Sequence, residues 1–129
     1  MNILILGSGG REYSIGLSIH NENEHELFFM PGNGATEKLG TNLNIKDYNE
    51  LASWAKNNNI DLTIVGPEAP LVDGVVDIFK ANDLVIFGPS AAAAKLEGSK
   101  VYMKNMLKKF GVPTAAFLET NSIQKAHNF

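Results

Sequence analysis

The sequence predicts an α/β fold with a doubly wound parallel sheet. Short apolar runs of strand length alternate with stretches of helix length, and most of the apolar runs end in glycine or proline. Strands and helices that alternate in this way form right-handed β-α-β units, in which the strands are parallel. Ligands of such folds bind beyond the carboxyl ends of the strands, and this chain carries its turn-forming residues at those ends.

Composition excludes several classes of protein. The chain has 129 residues, of which 44% are hydrophobic and 19% charged, so it is long enough for one folded domain and is not expected to be disordered. It has no cysteine, which excludes disulfides and thiolate sites, and its three histidines do not cluster as metal ligands would. No apolar run is long enough to span a membrane, no leader peptide is evident, and no long block of like charge suggests nucleic acid. A cytoplasmic location is therefore expected.

The first half of the chain contains three predicted strands. Residues 2–6 are rich in isoleucine and leucine and are typical of a buried strand. A helix is expected at residues 11–20, with two isoleucines four positions apart on one face. Residues 26–30 form the second predicted strand, which stops at a Pro-Gly-Asn-Gly turn, and residues 42–45 form a short third one.

The next segment continues the alternation. Asp47 is a good N-cap for a helix, and residues 61–65 form the fourth predicted strand. A single helix is expected at residues 71–82, with Val72 among its inward-facing side chains. Residues 84–87 form the fifth predicted strand, which is closed by Gly-Pro-Ser.

The pattern changes after residue 98. A helix is expected at residues 100–110, ended by Gly111, and residues 116–118 resemble a strand for which the sequence offers no partner. A last short helix would follow. These features predict two parts, a complete first domain at residues 1–98 and a linker helix with the start of a second domain at residues 99–129.

A glycine-rich loop joins the first strand to the first helix, with the sequence Gly-Ser-Gly-Gly-Arg-Glu at residues 7–12. Backbone N–H groups in such a loop, with the helix dipole behind them, suit a phosphate group. The alternative is a tight turn that only allows close packing. A dinucleotide site is poorly supported, because Glu12 stands where a third small residue is needed and no acid ends the second strand.

Two further polar residues lie at predicted strand ends. Glu68 follows Gly66 and Pro67, where its carboxylate would accept hydrogen bonds from ribose hydroxyls with a geometry fixed by the proline. The alternative is an acid that only stabilises the start of a helix. Asn33 would either contact a ligand or only stabilise the turn in which it lies, and the sequence favours neither interpretation.

The basic residues of the C-terminal part give a weaker signal. Lys100, Lys104 and Lys108 are spaced four apart and share one helix face. They would contact nucleotide phosphates or form a solvated surface, and spacing alone favours the solvated surface. Trp54 has helical spacing with Leu51, so a core position is expected rather than a stacking platform.

Taken together, these motifs resemble the N-terminal domain of the phosphoribosylamine–glycine ligase family. The resemblance covers essentially the whole chain in order, and its longest run is the most specific. The matching runs are residues 7–12, 31–33, 61–72, 86–89 and 96–100.

The resemblance implies an ATP-grasp ligase of purine biosynthesis, built on a Rossmann-like pre-ATP-grasp domain. The family enzyme is expected to phosphorylate the glycine carboxylate with ATP and Mg²⁺. The amine of 5-phosphoribosylamine then attacks the acyl phosphate, which gives glycinamide ribonucleotide, ADP and phosphate. ATP and Mg²⁺ would be bound mainly by an ATP-grasp body that this sequence does not contain, and no catalytic or metal-binding residue is expected within it.

The resemblance also implies roles for individual residues. Gly9 and Gly10 would offer backbone donors to the 5-phosphate, Arg11 would add a charged contact, and Glu68 would hold ribose hydroxyls. Lys100 and Lys104 match the two lysines at the entry to the ATP-grasp region, and one of them would touch the nucleotide. The full substrate-binding set comprises Gly9, Gly10, Arg11, Glu12, Asn33, Pro67 and Glu68.

Two departures from the family pattern affect these expectations. The family usually has histidine where this chain has Tyr13. The family enzyme is roughly three times as long, so this chain is expected to be a fragment that does not catalyse the reaction alone. The rival hypothesis is a stand-alone, non-catalytic module that binds ribose phosphate or a nucleotide. Another ATP-grasp enzyme with the same first domain is disfavoured by residues 68–72.

Overall fold

A computed structural model of the chain describes residues 1–22 and 24–129. Two compact units are present, which we call the first unit (Met1–Ala94) and the second unit (Lys95–Phe129). The first unit contains the whole sheet. The second unit consists of helices and an extended segment.

The sheet of the first unit has five strands in the order β3-β2-β1-β4-β5, and every neighbouring pair is parallel. This arrangement confirms the predicted doubly wound α/β fold. The strands are β1 (Asn2–Gly7), β2 (Glu26–Pro31), β3 (Thr41–Asn42), β4 (Leu62–Val65) and β5 (Ile86–Phe87).

Seven α-helices are described, together with a 3₁₀ turn at Thr36–Lys38. The helices are α1 (Gly10–His20), α2 (Tyr48–Asn57), α3 (Glu68–Val72), α4 (Val75–Ala81), α5 (Ala91–Gly98), α6 (Lys100–Lys109) and α7 (Ile123–Asn128).

Both faces of the sheet are covered, as the continuous apolar run of β1 requires. Leu4 and Leu6 point to one face and belong to the core cluster that contains residues of α2 and α4. Ile3 and Ile5 point to the opposite face and form a second cluster, against which isoleucines of α1 pack. All four β1 side chains are at most 4% exposed, so this strand is the centre of the hydrophobic core.

The predicted helix at residues 71–82 is wrong in one respect, because two helices occupy the region. Helix α3 begins earlier, at Glu68, and Gly74 then adopts a left-handed conformation with φ of +89°. A residue in that conformation cannot continue a right-handed helix. Helix α4 therefore begins anew, and the side chains of α3 and α4 do not follow one continuous helical periodicity. Val72 was predicted to face inward but is 39% exposed, whereas Val75 and Phe79 of α4 are fully buried.

Three predicted strands differ from the structure. The third strand lies at Thr41–Asn42 rather than at residues 42–45, and the fifth is only Ile86–Phe87. Both are edge strands, each with a single neighbour that pairs with it over two residues. The strand predicted at residues 116–118 is absent from the described second unit, since an extended segment becomes a strand only when a partner accepts its hydrogen bonds.

The helix boundaries of the second unit agree with the sequence analysis. Helix α6 is capped by Ser99, whose hydroxyl accepts a hydrogen bond from the Tyr102 amide at 3.2 Å. It ends before Gly111, which has φ of +66°, and the Val112 amide donates to the Leu107 carbonyl. This pattern is typical of a glycine-terminated helix.

Candidate functional site

The ends of β1 and β4 lie side by side in the middle of the sheet. The chain leaves β1 into α1 on one face, and it leaves β4 into α3 and α4 on the other face. The Gly66 amide donates to the Leu6 carbonyl at 3.0 Å, so the two strand ends are in direct contact. The strand order reverses at this point, and in open α/β sheets such a point forms a crevice for ligands.

A cleft of about 460 Å³ lies at this crevice. Two of the sequence motifs meet there, the glycine-rich loop after β1 and the segment after β4. The lining residues are residues 7–12, Met30, Pro31, Tyr48, Pro67 and Pro70. The cleft is therefore the candidate functional site.

Glu12 lies at the floor of this region and is only 4% exposed. Its Oε2 atom accepts a hydrogen bond from the Gly9 amide at 2.6 Å. A Cβ atom at Gly7 would lie 2.6 Å from the Glu12 Cδ atom, and one at Gly66 would lie closer still to Oε1. The carboxylate is thus packed between the loop after β1 and the loop after β4.

The start of α1 presents free backbone donors at the cleft. The first backbone hydrogen bond of the helix runs from the Tyr13 amide to the Gly9 carbonyl, so the amides of Gly10 and Arg11 have no acceptor within the helix. The Arg11 side chain is exposed, and its guanidinium donates to the Gly66 carbonyl. Amides and a guanidinium at a helix N-terminus are suited to an anion.

Asn33 organises the loop after β2. Its side-chain amide donates to the Ser8 carbonyl at 2.8 Å, and its Oδ1 atom accepts hydrogen bonds from the amides of Ala35 and Thr36. The side chain therefore connects this loop to the glycine-rich loop. Its predicted contact with a ligand stays a prediction.

Glu68 is the first residue of α3, and its side chain is exposed. Pro67 and Pro70, on either side of it, line the cleft, but Glu68 itself is not among the lining residues. The structure thus brings Glu68 to the rim of the site rather than into it. Its contact with ribose stays a prediction.

The sequence analysis missed Tyr48, which lines the cleft. Partial burial raises the pKa of its phenol, and the negative charge of Asp73 raises this pKa further. The sequence did contain a signal for the position of Tyr48. Asp47 caps α2 by accepting hydrogen bonds from the amides of Asn49 and Glu50, both at 2.9 Å, so Tyr48 is the first residue of that helix. A helix that follows a parallel strand begins at the carboxyl edge of the sheet, which places its first residue near the ligand crevice.

In the second unit, Lys104 holds the extended segment that follows α6. Its ammonium donates to the Thr114 hydroxyl at 2.7 Å and to the Ala115 carbonyl at 3.1 Å, and it lies 5.6 Å from the centre of the Phe117 ring. Lys100 and Lys104 together line a cavity of about 190 Å³. Their contact with a nucleotide stays a prediction.

Lys108 lies apart from this pair. It lines a different groove of about 700 Å³, formed with the extended segment at residues 111–119. This groove is larger than the cleft at the sheet, but it lacks free backbone donors at a helix start, so size alone does not make it the stronger candidate. The predicted lysine face is therefore divided between two concave surfaces.

Neither a cluster of metal ligands nor a membrane-spanning helix occurs in the described part of the chain. Over residues 1–22 and 24–129, no group of three or more His, Asp or Glu side chains is arranged to hold a metal ion. No helix in the same part of the chain is both long and apolar enough to cross a membrane.

Comparison with known sequences identifies similar proteins. Residues 1–97 match the family described as phosphoribosylglycinamide synthetase, N domain. The chain is 48% identical over 120 residues to the phosphoribosylamine–glycine ligase of Clostridium acetobutylicum, which covers 91% of this chain and 29% of that protein. It is 47% identical over 131 residues to that of Vibrio parahaemolyticus, with coverage of 98% and 30%. The chain thus spans about 30% of the length of these relatives.

Comparison with solved structures gives the same picture. The phosphoribosylamine–glycine ligase of Thermotoga maritima superposes with a TM-score of 0.66 at 32% identity, covering 90% of this chain and 26% of that one. N5-carboxyaminoimidazole ribonucleotide synthetase from Thermotoga maritima superposes with a TM-score of 0.71 at 17% identity, covering 98% and 35%. At that identity the second likeness shows a shared fold alone.

Proposed function

The chain belongs to the phosphoribosylglycinamide synthetase N-domain family, and from this membership we propose that it is the substrate-binding N-terminal part of a phosphoribosylamine–glycine ligase. The proposed reaction is a step of purine biosynthesis. ATP phosphorylates the carboxylate of glycine, and the amine of 5-phosphoribosylamine then displaces phosphate from the acyl phosphate. The products are glycinamide ribonucleotide, ADP and phosphate.

The role proposed for the first unit is to bind the phosphoribosyl group. The observation that carries this proposal is the cleft between β1 and β4, which the glycine-rich loop and the segment after β4 line together. The 5-phosphate would lie at the start of α1, where Gly9, Gly10 and Arg11 surround it. Backbone amides, the helix dipole and the guanidinium all favour an anion at this position.

The ribose would extend from the start of α1 towards the start of α3. Pro67 would form one wall of its site, and Glu68 would accept hydrogen bonds from its hydroxyl groups. Asn33 and Glu12 complete the proposed set of substrate-binding residues. Asn33 would hold the loop after β2 in place. This placement is supported because the glycine-rich loop and the segment after β4, which are distant along the chain, meet at one crevice.

The second unit is proposed to contribute to the nucleotide site through Lys100 and Lys104. Both line one cavity, and ammonium groups are common partners of phosphate oxygens. Among the described residues, no acidic or histidine cluster fits Mg²⁺, so we assign no step to the metal within this chain. A stand-alone binding module is not favoured, because the relatives carry the matching stretch inside a ligase of which it forms about 30%.

A titration of the chain with ribose 5-phosphate tests this proposal. Binding is monitored through the backbone amide NMR signals. We expect shifts concentrated at residues 7–12 and near Glu68. Glu68→Ala should weaken ribose 5-phosphate binding about tenfold, the effect of losing a hydrogen bond to a charged group. It should leave the binding of inorganic phosphate unchanged, because that ligand has no ribose.

The matched control is Glu50→Ala, which removes an exposed acid from the first turn of another helix. This variant should bind both ligands as the unaltered chain does. If Glu68→Ala also bound ribose 5-phosphate normally, the acid would only stabilise the start of α3. Shifts confined to the second unit would contradict the proposed site.

A further inference from the structure

Glu12 is the one charged side chain that is buried in the described part of the chain. A buried carboxylate is costly unless hydrogen bonds compensate for the lost water. Here the compensation comes from the Gly9 amide, at a distance of 2.6 Å that is typical of a short, charge-assisted bond. The Gly9 amide therefore already has an acceptor, the Glu12 carboxylate.

Glycines surround the Glu12 side chain on three sides. A Cβ atom at Gly7 would lie 2.6 Å from its Cδ and Cγ atoms, and one at Gly9 would lie 2.9 Å from Oε2. A Cβ atom at Gly66 would collide with Oε1. Since Gly7 precedes α1 and Gly66 follows β4, the side chain fills the gap between the two loops that form the crevice.

From these contacts we infer that Glu12 is a positioning residue rather than a substrate ligand. It holds the glycine-rich loop against the loop after β4 and removes the Gly9 amide from the set of phosphate donors. The donors left for an anion are the amides of Gly10 and Arg11 and the Arg11 guanidinium. This inference rests on the proposed function of the cleft and replaces the roles proposed above for Gly9 and Glu12 within it.

The hydrogen bonding of Glu12 supports the same assignment. Its carboxylate is bonded to the Gly9 amide at 2.6 Å, and a carboxylate that faced a phosphate group directly would repel it. The position of the carboxylate also leaves little surface for a sugar, because the residue is only 4% exposed. A ligand role would require the side chain to leave the space between Gly7 and Gly66.

The first test needs no ligand, since it follows the Gly9 amide in the free chain by NMR. A short bond to a carboxylate should move the Gly9 amide proton far downfield and protect it from exchange with solvent. Glu12→Gln keeps an acceptor without the charge, so part of the shift should remain, and Glu12→Ala should abolish it. Glu50→Ala, the same position in the first turn of α2, should change nothing. An unchanged Gly9 signal in Glu12→Ala would overturn the inference.

The second test compares inorganic phosphate with ribose 5-phosphate. If Glu12 positions the loop, Glu12→Ala should lower the affinity for both ligands by the same factor. We expect about tenfold, because the charge-assisted donors to the phosphate would be displaced. Glu12→Gln should restore affinity to within about threefold. A loss limited to ribose 5-phosphate in either variant would make Glu12 a sugar ligand and overturn the inference.

These measurements separate the inference from the proposed function. If the unaltered chain bound neither ligand, the proposed function of the cleft would fail, while the Gly9 signal would still decide the role of Glu12. If Glu12→Ala did not fold, the Gly9 signal in Glu12→Gln would decide the role of Glu12, because this variant preserves the shape of the side chain and should still reduce the shift.

Discussion

At the scale of single residues, Tyr48 shows how the surroundings of a side chain set its chemistry. The phenol lines the cleft at the start of α2, where partial burial and then the charge of Asp73 raise its pKa. Both causes disfavour the negatively charged phenolate. Tyr48 therefore stays a neutral hydrogen-bonding group at the edge of the cleft up to strongly alkaline pH.

A spectroscopic titration tests this property. When tyrosinate absorbance is followed, we expect a late phase at a pH above the ordinary pKa of a tyrosine, caused by the raised pKa of Tyr48. Tyr48→Phe should remove that late phase. The folded-state pKa lies above the unfolded one, so the contribution of Tyr48 to stability is complete below pH about 10 and is lost as the pH rises through the folded-state value. A late phase that persisted in Tyr48→Phe would assign it to another tyrosine.

At the scale of elements, the contact of α1 with β2 depends on a glycine. A Cβ atom at Gly16 would lie 2.5 Å from the Cζ atom of Phe29, whose side chain is fully buried. Ile15 and Ile19 of α1 pack against the same cluster. Gly16 thus lets the helix approach the sheet closely.

We predict that Gly16→Ala destabilises the fold by about 1–2 kcal/mol, because overpacking against Phe29 exceeds the gain in helix propensity. Chemical denaturation of the chain measures this free energy. Gly10→Ala is the control in the same helix, where an added Cβ has no neighbour within 4 Å. It should be neutral or slightly stabilising. Equal effects of the two substitutions would show that packing at Gly16 is not limiting.

At the scale of the whole molecule, burial differs between the two units. The first unit contains both hydrophobic clusters of the described residues, and β1 lies between them. In the second unit no residue is buried, although α6 and α7 have complete N-terminal caps. Local hydrogen bonds therefore define the helices of the second unit without a core to support them.

Amide hydrogen exchange tests this difference. We expect the amides of β1, β2 and β4 to be the most protected, since they open only when the first unit unfolds. Those of α6 and α7 should exchange far faster, because short helices without buried apolar contacts open locally. Comparable protection in the two units would mean that the second unit has a stabilising core that the described contacts lack.

Local chemistry made much of the fold and site predictable. Asp47, Ser99 and Ser122 are caps whose side chains accept hydrogen bonds from the next turn, and each begins a helix where the sequence analysis placed one. The alternation of strands and helices determined the α/β class, and the glycine-rich loop lies at the expected strand end. These features depend on residues within a few positions of one another.

The remaining features could not be predicted, because they depend on contacts between residues that are distant along the chain. The break at Gly74 divides a helix that periodicity alone predicts as continuous, and it exposes Val72. The contact of Glu12 with Gly66 and the approach of Tyr48 to the glycine-rich loop arise only when β1 and β4 become neighbours. The pattern of apolar runs and turn residues is local, so it predicts the class of fold and the loops at the carboxyl edge of the sheet. How those loops pack, and which of their polar groups already have partners, depends on contacts made only in the folded chain.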